Sequence, residues 1–244
     1  MASTAARIAL VTGANKGIGF ETARQLAQAG VFALIGARNA ERGQAAVDQL
    51  KAQGLDAAFV QVDIVNAESI AAAAASIDKQ FGKLDILINN AGAVDENDGP
   101  PSTASVDAAR RIFETNFFGT LSVTQAMLPL LRKSAAGRIV NVSSTLGSLA
   151  MNGDASSAYY EVRLIGYNAS KAALNMLTVQ LAQELRDTPI LVNAICPGYV
   201  DTDLSGHKGY LSPAEAARTP VRLALLKDGE LTGHFVDANG EVPW

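Results

Sequence analysis

The chain has 244 residues, 48% hydrophobic and 18% charged, a composition that excludes a disordered polypeptide. Twenty basic against 24 acidic residues give a net charge of -4 without the basic patch nucleic acid requires, so no DNA or RNA partner is expected. The single cysteine, Cys196, excludes a disulfide scaffold and a cysteine-rich zinc site, and no metal is expected.

Strand-like apolar runs alternate with segments of helical period. Arg7–Thr12 reads as a strand and Gly17–Ala29 as the helix after it. Val31–Gly36, Ala40–Gln53, Ala57–Val62, Ala67–Gln80 and Leu84–Asn89 continue the alternation. Helices are predicted over Val106–Thr115 and Phe117–Lys133, then a strand over Arg138–Val142. Tyr167–Arg186 is predicted helical, Ile190–Ile195 a strand, Pro213–Lys227 helical and Gly233–Val236 a short last strand. Short strands separated by long helices imply βαβ crossovers, and hence a mostly parallel, doubly wound α/β sheet of about seven strands. No linker interrupts the pattern, so residues 1–244 are expected to form a single doubly wound domain. No segment approaches the roughly 20 apolar residues that span a bilayer, and no charged leader precedes the first strand. A cytoplasmic chain without membrane partners is therefore expected.

Thr12-Gly13-Ala14-Asn15-Lys16-Gly17-Ile18-Gly19 joins the first strand to the first helix. Glycines there allow a tight turn and close approach of a pyrophosphate to the free amides of the helix N-terminus, although packing alone could also require them. An NAD site places a carboxylate about 20 residues on, against the ribose 2′-hydroxyl. Here Leu34-Ile35-Gly36-Ala37-Arg38-Asn39 offers none before Glu41. Arg38 and Lys16 together would form one positive spot suited to a 2′-phosphate, which favours NADP(H); alternatively Arg38 is a solvated loop residue.

Tyr167-Asn168-Ala169-Ser170-Lys171 places a phenol and an ammonium on one helix face. A nearby cation should lower the phenol's pKa towards the range useful for proton transfer. Ser143 and Ser144 follow a strand at its carboxyl end, where open α/β sheets bind ligands. One could orient a carbonyl and the other serve as a cap.

These segments, with Asn89-Asn90-Ala91-Gly92, Asn116 and Pro197-Gly198 in this order, resemble the short-chain dehydrogenase/reductase superfamily over nearly the whole chain. The resemblance implies a single Rossmann-type domain with a sheet in the order 3-2-1-4-5-6-7. It implies that Tyr167 is the general acid/base, Lys171 its partner and a ribose ligand, Ser144 the carbonyl-orienting group and Asn116 part of a proton relay. Gly13, Asn15, Lys16, Gly17, Ile18 and Gly19 would hold the cofactor, with Asp63 and Ile64 at the adenine and Asn90 in support. Pro197 and Gly198 would bind the cofactor, and Val200 and Thr202 after them would cover the nicotinamide amide, within a substrate loop over about 197–213. The carbonyl-reductase branch is most similar, through Gly13–Gly19, Cys196–Thr202 and the closing Thr219–Trp244 stretch.

Ser144 and Tyr167 stand 23 positions apart, further than in the family's common pattern and closer than in animal carbonyl reductases. The extra residues, about 150–164, are expected to line the approach to the site, with Met151 and Tyr199 as candidate substrate contacts. They precede a helix through which many such enzymes dimerise, so both monomer and homo-oligomer stay open. His207 and His234 are too isolated for a zinc site or a hydrolytic triad. The expected activity is NADPH-dependent reduction of a small-molecule ketone or aldehyde. A non-catalytic NADP(H)-sensing regulator and an NADP-dependent alcohol dehydrogenase working mainly in oxidation are the alternatives.

Overall fold

A computed structural model describes residues 6–244; Met1–Ala5, part of the reading of how the chain starts, lie outside the described residues. The order is β1 (Ile8–Thr12), α1 (Gly17–Gln28), β2 (Phe32–Ala37), α2 (Ala40–Lys51), β3 (Ala57–Gln61), α3 (Ala67–Phe81) and β4 (Ile86–Asn89). Then come α4 (Val106–Phe113), α5 (Thr120–Leu131), β5 (Arg138–Val142), α6 (Leu149–Gly153), α7 (Ile165–Glu184), β6 (Leu191–Ile195), α8 (Pro213–Ala216), α9 (Arg218–Ala224) and β7 (Phe235–Val236). The strands form one parallel sheet in the order β3-β2-β1-β4-β5-β6-β7, as the resemblance implied.

Alternation along each strand explains why the runs are apolar throughout. Leu10, Leu34, Leu87, Ile139 and Val192 pack on the face covered by α3, α5 and α7. Their neighbours Val11, Ile35, Ile88 and Val140 pack on the opposite face, under α1, α2 and α9. A sheet buried on both faces leaves no polar alternation to read.

Three expectations are corrected. The break predicted around Asn116 is absent: α4 runs into a π-helical turn, Glu114–Gly119, and then into α5. Pro213–Lys227 is not one helix but the short α8 and α9, with Ala217 between them. α7 starts at Ile165, two residues before Tyr167.

The two ends of the sheet differ in kind. At the amino end of the strands the charges are locked: Arg138, 1% exposed, donates to the carbonyls of Leu226, Pro189 and Gly137 and to Asp228. Asp85 accepts from Ile8 N (2.8 Å), Ser134 (2.6 Å) and Lys83. Burial opposes ionisation of Asp85, but these hydrogen bonds prevail and hold its pKa below the usual carboxylate value. At the carboxyl end, where the strand order reverses between β1 and β4, the loops open into a cavity. Among the described residues, no helix is long and apolar enough to cross a membrane and no cluster could hold a metal ion.

Candidate active site

The cavity measures about 580 Å³ and runs from the glycine turn after β1 to Tyr167 and Lys171 on α7. Gly13 (φ 64°) and Gly17 (φ 60°) adopt left-handed backbone that side chains disfavour. A Cβ on Gly19 would lie 2.4 Å from Asn90 Nδ2 and 2.7 Å from Gly13 O, so only glycine fits. Asn90 in turn donates to the carbonyls of Thr12 (2.9 Å) and Gly13 (3.3 Å). Thr12, which opens the motif but has no role assigned from sequence, accepts from Asn90 N and Ala91 N through its hydroxyl and so joins β1 to β4 at the cavity floor. No side chain caps α1, leaving its first amides free for an anion.

Asn15, Lys16, Ile18, Arg38, Asp63, Ile64, Pro197 and Thr202 line the cavity. Thr202 reaches across it: a Cβ on Gly17 would sit 3.4 Å from Thr202 Cγ2. The two cations expected to form a positive spot differ in their surroundings. Arg38 is exposed, but Lys16 is ion-paired with Asp203, which the loop after β6 brings over the cavity mouth. His207 bridges Asp201 (2.7 Å) and Asp203 (2.9 Å) in the same loop, and its hydrogen bonds to them raise its pKa. The acids lie 185 or more positions from Lys16, beyond the reach of any local motif.

At the other end, Lys171 is 4% exposed and donates to Val142 O at 2.8 Å. Its ammonium lies 5.7 Å from the centre of the Tyr167 ring. The expected lowering of the phenol is corrected. Burial pushes Tyr167 up to about 12, electrostatic interaction with Cys196 adds to the rise, and a hydrogen bond with Ser144 opposes it. Burial lowers Lys171 to about 8, opposed by Cys196. Removing both groups from water favours their neutral forms more than their separation favours the ion pair.

Ser144 and Ser143 have separate tasks. Ser143 is buried and donates to Asn175 Oδ1 at 2.6 Å, whereas Ser144 is half-buried, accepts from Leu146 N and meets the Tyr167 phenol. Asn116, fully buried in the π-helical turn, accepts from Ala93 N (2.7 Å) and donates to Ala93 O and to Ser170 Oγ (both 3.0 Å). It and Lys171 approach Gly92 from two sides: a Cβ there would lie 3.6 Å from Asn116 Oδ1 and 3.7 Å from Lys171 Nζ.

Six candidates fall outside the cavity lining: Ser144 and Asn116, described above, and four with other surroundings. Val200 is buried and bridged to Leu211, Gly198 turns back against Leu211, and Met151 packs on Cys196 and Phe235. Tyr199 is 46% exposed and stacks edge-on against Tyr210. A second groove of about 410 Å³ on the outer side of α4, around Val106 and Phe118, shares no residue with the cavity.

A family model for short chain dehydrogenases matches residues 7–209. Carbonyl reductase [NADPH] 1 of Sus scrofa is 39% identical over 281 aligned residues, covering 99% of this chain and 96% of the relative. (-)-Isopiperitenone reductase of Mentha piperita is 34% identical, covering 94% and 95%. The solved structure of NADPH-bound carbonyl reductase from chicken fatty liver superposes with a TM-score of 0.85 at 29% identity, over 98% of this chain and 99% of that one.

Proposed function

Because the chain belongs to the short chain dehydrogenase family, we propose that it works as one unit that reduces a ketone or aldehyde with Tyr167 as proton donor. It is an NADPH-dependent oxidoreductase resembling carbonyl reductases. The carrying observation is the single cavity that joins the glycine turn to Tyr167 and Lys171.

The residues fit the cofactor. The uncapped α1 amides and Lys16 suit phosphates, Arg38 stands at the end of β2 where a 2′-phosphate favours a cation, and Gly19 leaves room that a Cβ would fill. When bound, NADPH supplies the hydride that a carbonyl carbon accepts. Tyr167 gives its hydroxyl proton to the carbonyl oxygen, completing the alcohol. A phenol held at about 12 carries its proton at neutral pH, the form a proton donor needs. Ser144 donates to the same oxygen and orients it. The Lys171 ammonium stabilises the tyrosinate left behind and holds the nicotinamide ribose, and Asn116 keeps the adjoining main chain in place for proton return. Asp63 and Ile64 would flank the adenine, Asn90 would support the cofactor through the glycine turn, and Thr202 would cover the nicotinamide.

NADPH oxidation by the purified chain against ketones, aldehydes and quinones tests the reading. Turnover with at least one class is expected. A chain that binds NADPH yet oxidises it with none of them is a sensor, not a reductase.

A further inference from the structure

We propose that Asp98 is the positioning residue for Tyr167, a role that rests on the reading of Tyr167 as proton donor. A helix leaves its first amides without partners inside it, and a Ser, Thr, Asp or Asn just before it normally supplies one. α7 lacks this: Leu164 makes no side-chain cap. Its amides are met instead from the loop after β4. Ile165 N donates to Gly99 O (3.0 Å), Gly166 N to Asp98 Oδ1 (2.8 Å) and Tyr167 N to Asp98 Oδ2 (2.9 Å).

One carboxylate thus grips two successive amides, one of them the amide of Tyr167 itself. Hydrogen bonds to a charged acceptor at the positive end of a helix are the stronger kind. The carboxylate is itself held, since Gly99 N donates to Oδ1 at 2.9 Å. Gly166 lets the loop come this close: a Cβ there would meet Ala109 Cα and Ile112 Cδ1 at 3.0 Å and Asp98 Oδ1 at 3.2 Å.

The source of the cap gives it a role beyond stability. The loop that carries Asp98 also carries Ala93, whose amide and carbonyl fix the Asn116 side chain. A local cap at residue 164 would satisfy the same amides without tying the start of α7 to that loop. With Asp98, the segment that sets Asn116 also sets where the Tyr167 backbone begins.

The test uses the full chain with Asp98→Ala, Asp98→Asn and Tyr167→Phe, assayed with NADPH and an active carbonyl substrate. Asp98→Ala is expected to lower kcat roughly tenfold to a hundredfold, as small misplacements of reacting groups do. NADPH affinity, read by fluorescence titration, should stay within about twofold of wild type. Asp98→Asn keeps one carbonyl acceptor and should recover part of kcat. Hydrogen exchange should quicken at Ile165–Tyr167 in both variants. An Asp98→Ala kcat within about twofold of wild type overturns the proposal, as does an equal loss in kcat and NADPH affinity. If Asp98→Ala does not fold, Asp98→Asn is judged by the same kcat and affinity criteria. Substantial turnover by Tyr167→Phe removes the premise; an inactive Tyr167→Phe beside a fully active Asp98→Ala removes only the role of Asp98.

Discussion

The two halves of the cavity are built by opposite means. Around β1 and β2 the surface is main chain: glycines in left-handed conformation, an uncapped helix start, and a carbonyl of Gly36 that accepts from Ala14 N. Around β4, β5 and α7 it rests on buried side chains bonded to one another. Asn89 donates to Asn141 Oδ1 (2.8 Å) and Thr124 Oγ1 (3.0 Å), Asn141 to Thr178 Oγ1 (2.9 Å), and Ser143 to Asn175. A diphosphate needs donors and room, which backbone and missing side chains provide. Proton transfer needs particular atoms in fixed places, and only locked side chains supply them. In the first half a substitution therefore acts through what it adds, and in the second through what it removes.

The sharpest way to break this contrast is Tyr167→Phe, expected to lower kcat by about 10²–10⁴-fold with NADPH affinity kept, measured by steady-state kinetics and titration. A parallel loss of affinity would mean the halves are not separable. Next is the pH profile of kcat/KM for NADPH, which reports the free enzyme. With Lys171 lowered to about 8, its ammonium is present below that pH and lost above it, so the rate should fall about tenfold per unit beyond pH 8. Tyr167, at about 12, keeps its proton through this range, so a limb that persists in Lys171→Met would assign it elsewhere.

On the cofactor side, Gly19→Ala adds a methyl where Asn90 and Gly13 already stand; NADPH KM should rise roughly tenfold, the cost of a modest overpacking, with kcat little changed. The smallest effect is expected from Arg38→Asp, because Arg38 is exposed and solvent screens its charge. The ratio of kcat/KM for NADPH to that for NADH should drop about fivefold to tenfold. An unchanged ratio would leave recognition of the 2′-phosphate to Lys16.

The same contrast explains what could be read from the sequence. The glycine turn and Tyr167-x-x-x-Lys171 are local patterns, and the strands stand out as uninterrupted apolar runs because both faces of the sheet are covered. Contacts made between distant segments left no such mark. Asp98 reaches residues 68 and 69 positions away, and Asp203 meets Lys16 across 187. The direction of the Tyr167 shift is not legible in the sequence for a related reason: helical spacing reveals which groups are neighbours, but burial decides which charge state survives. The break predicted at Asn116 failed because a change from i→i+4 to i→i+5 bonding needs no proline or glycine to announce it.

That π-helical turn also constrains how the chain can change in length. A π-turn is one residue longer than the α-turn it replaces, and each residue rotates a helix by about 100°. Deleting one residue between Glu114 and Gly119 would restore ordinary helical phase without breaking the path from α4 to α5, so the shortened chain could still fold. If the deleted residue is Thr115, the Asn116 carboxamide turns by about 100° relative to α4, away from Ala93. The site depends on a helix carrying one residue more than its fold requires.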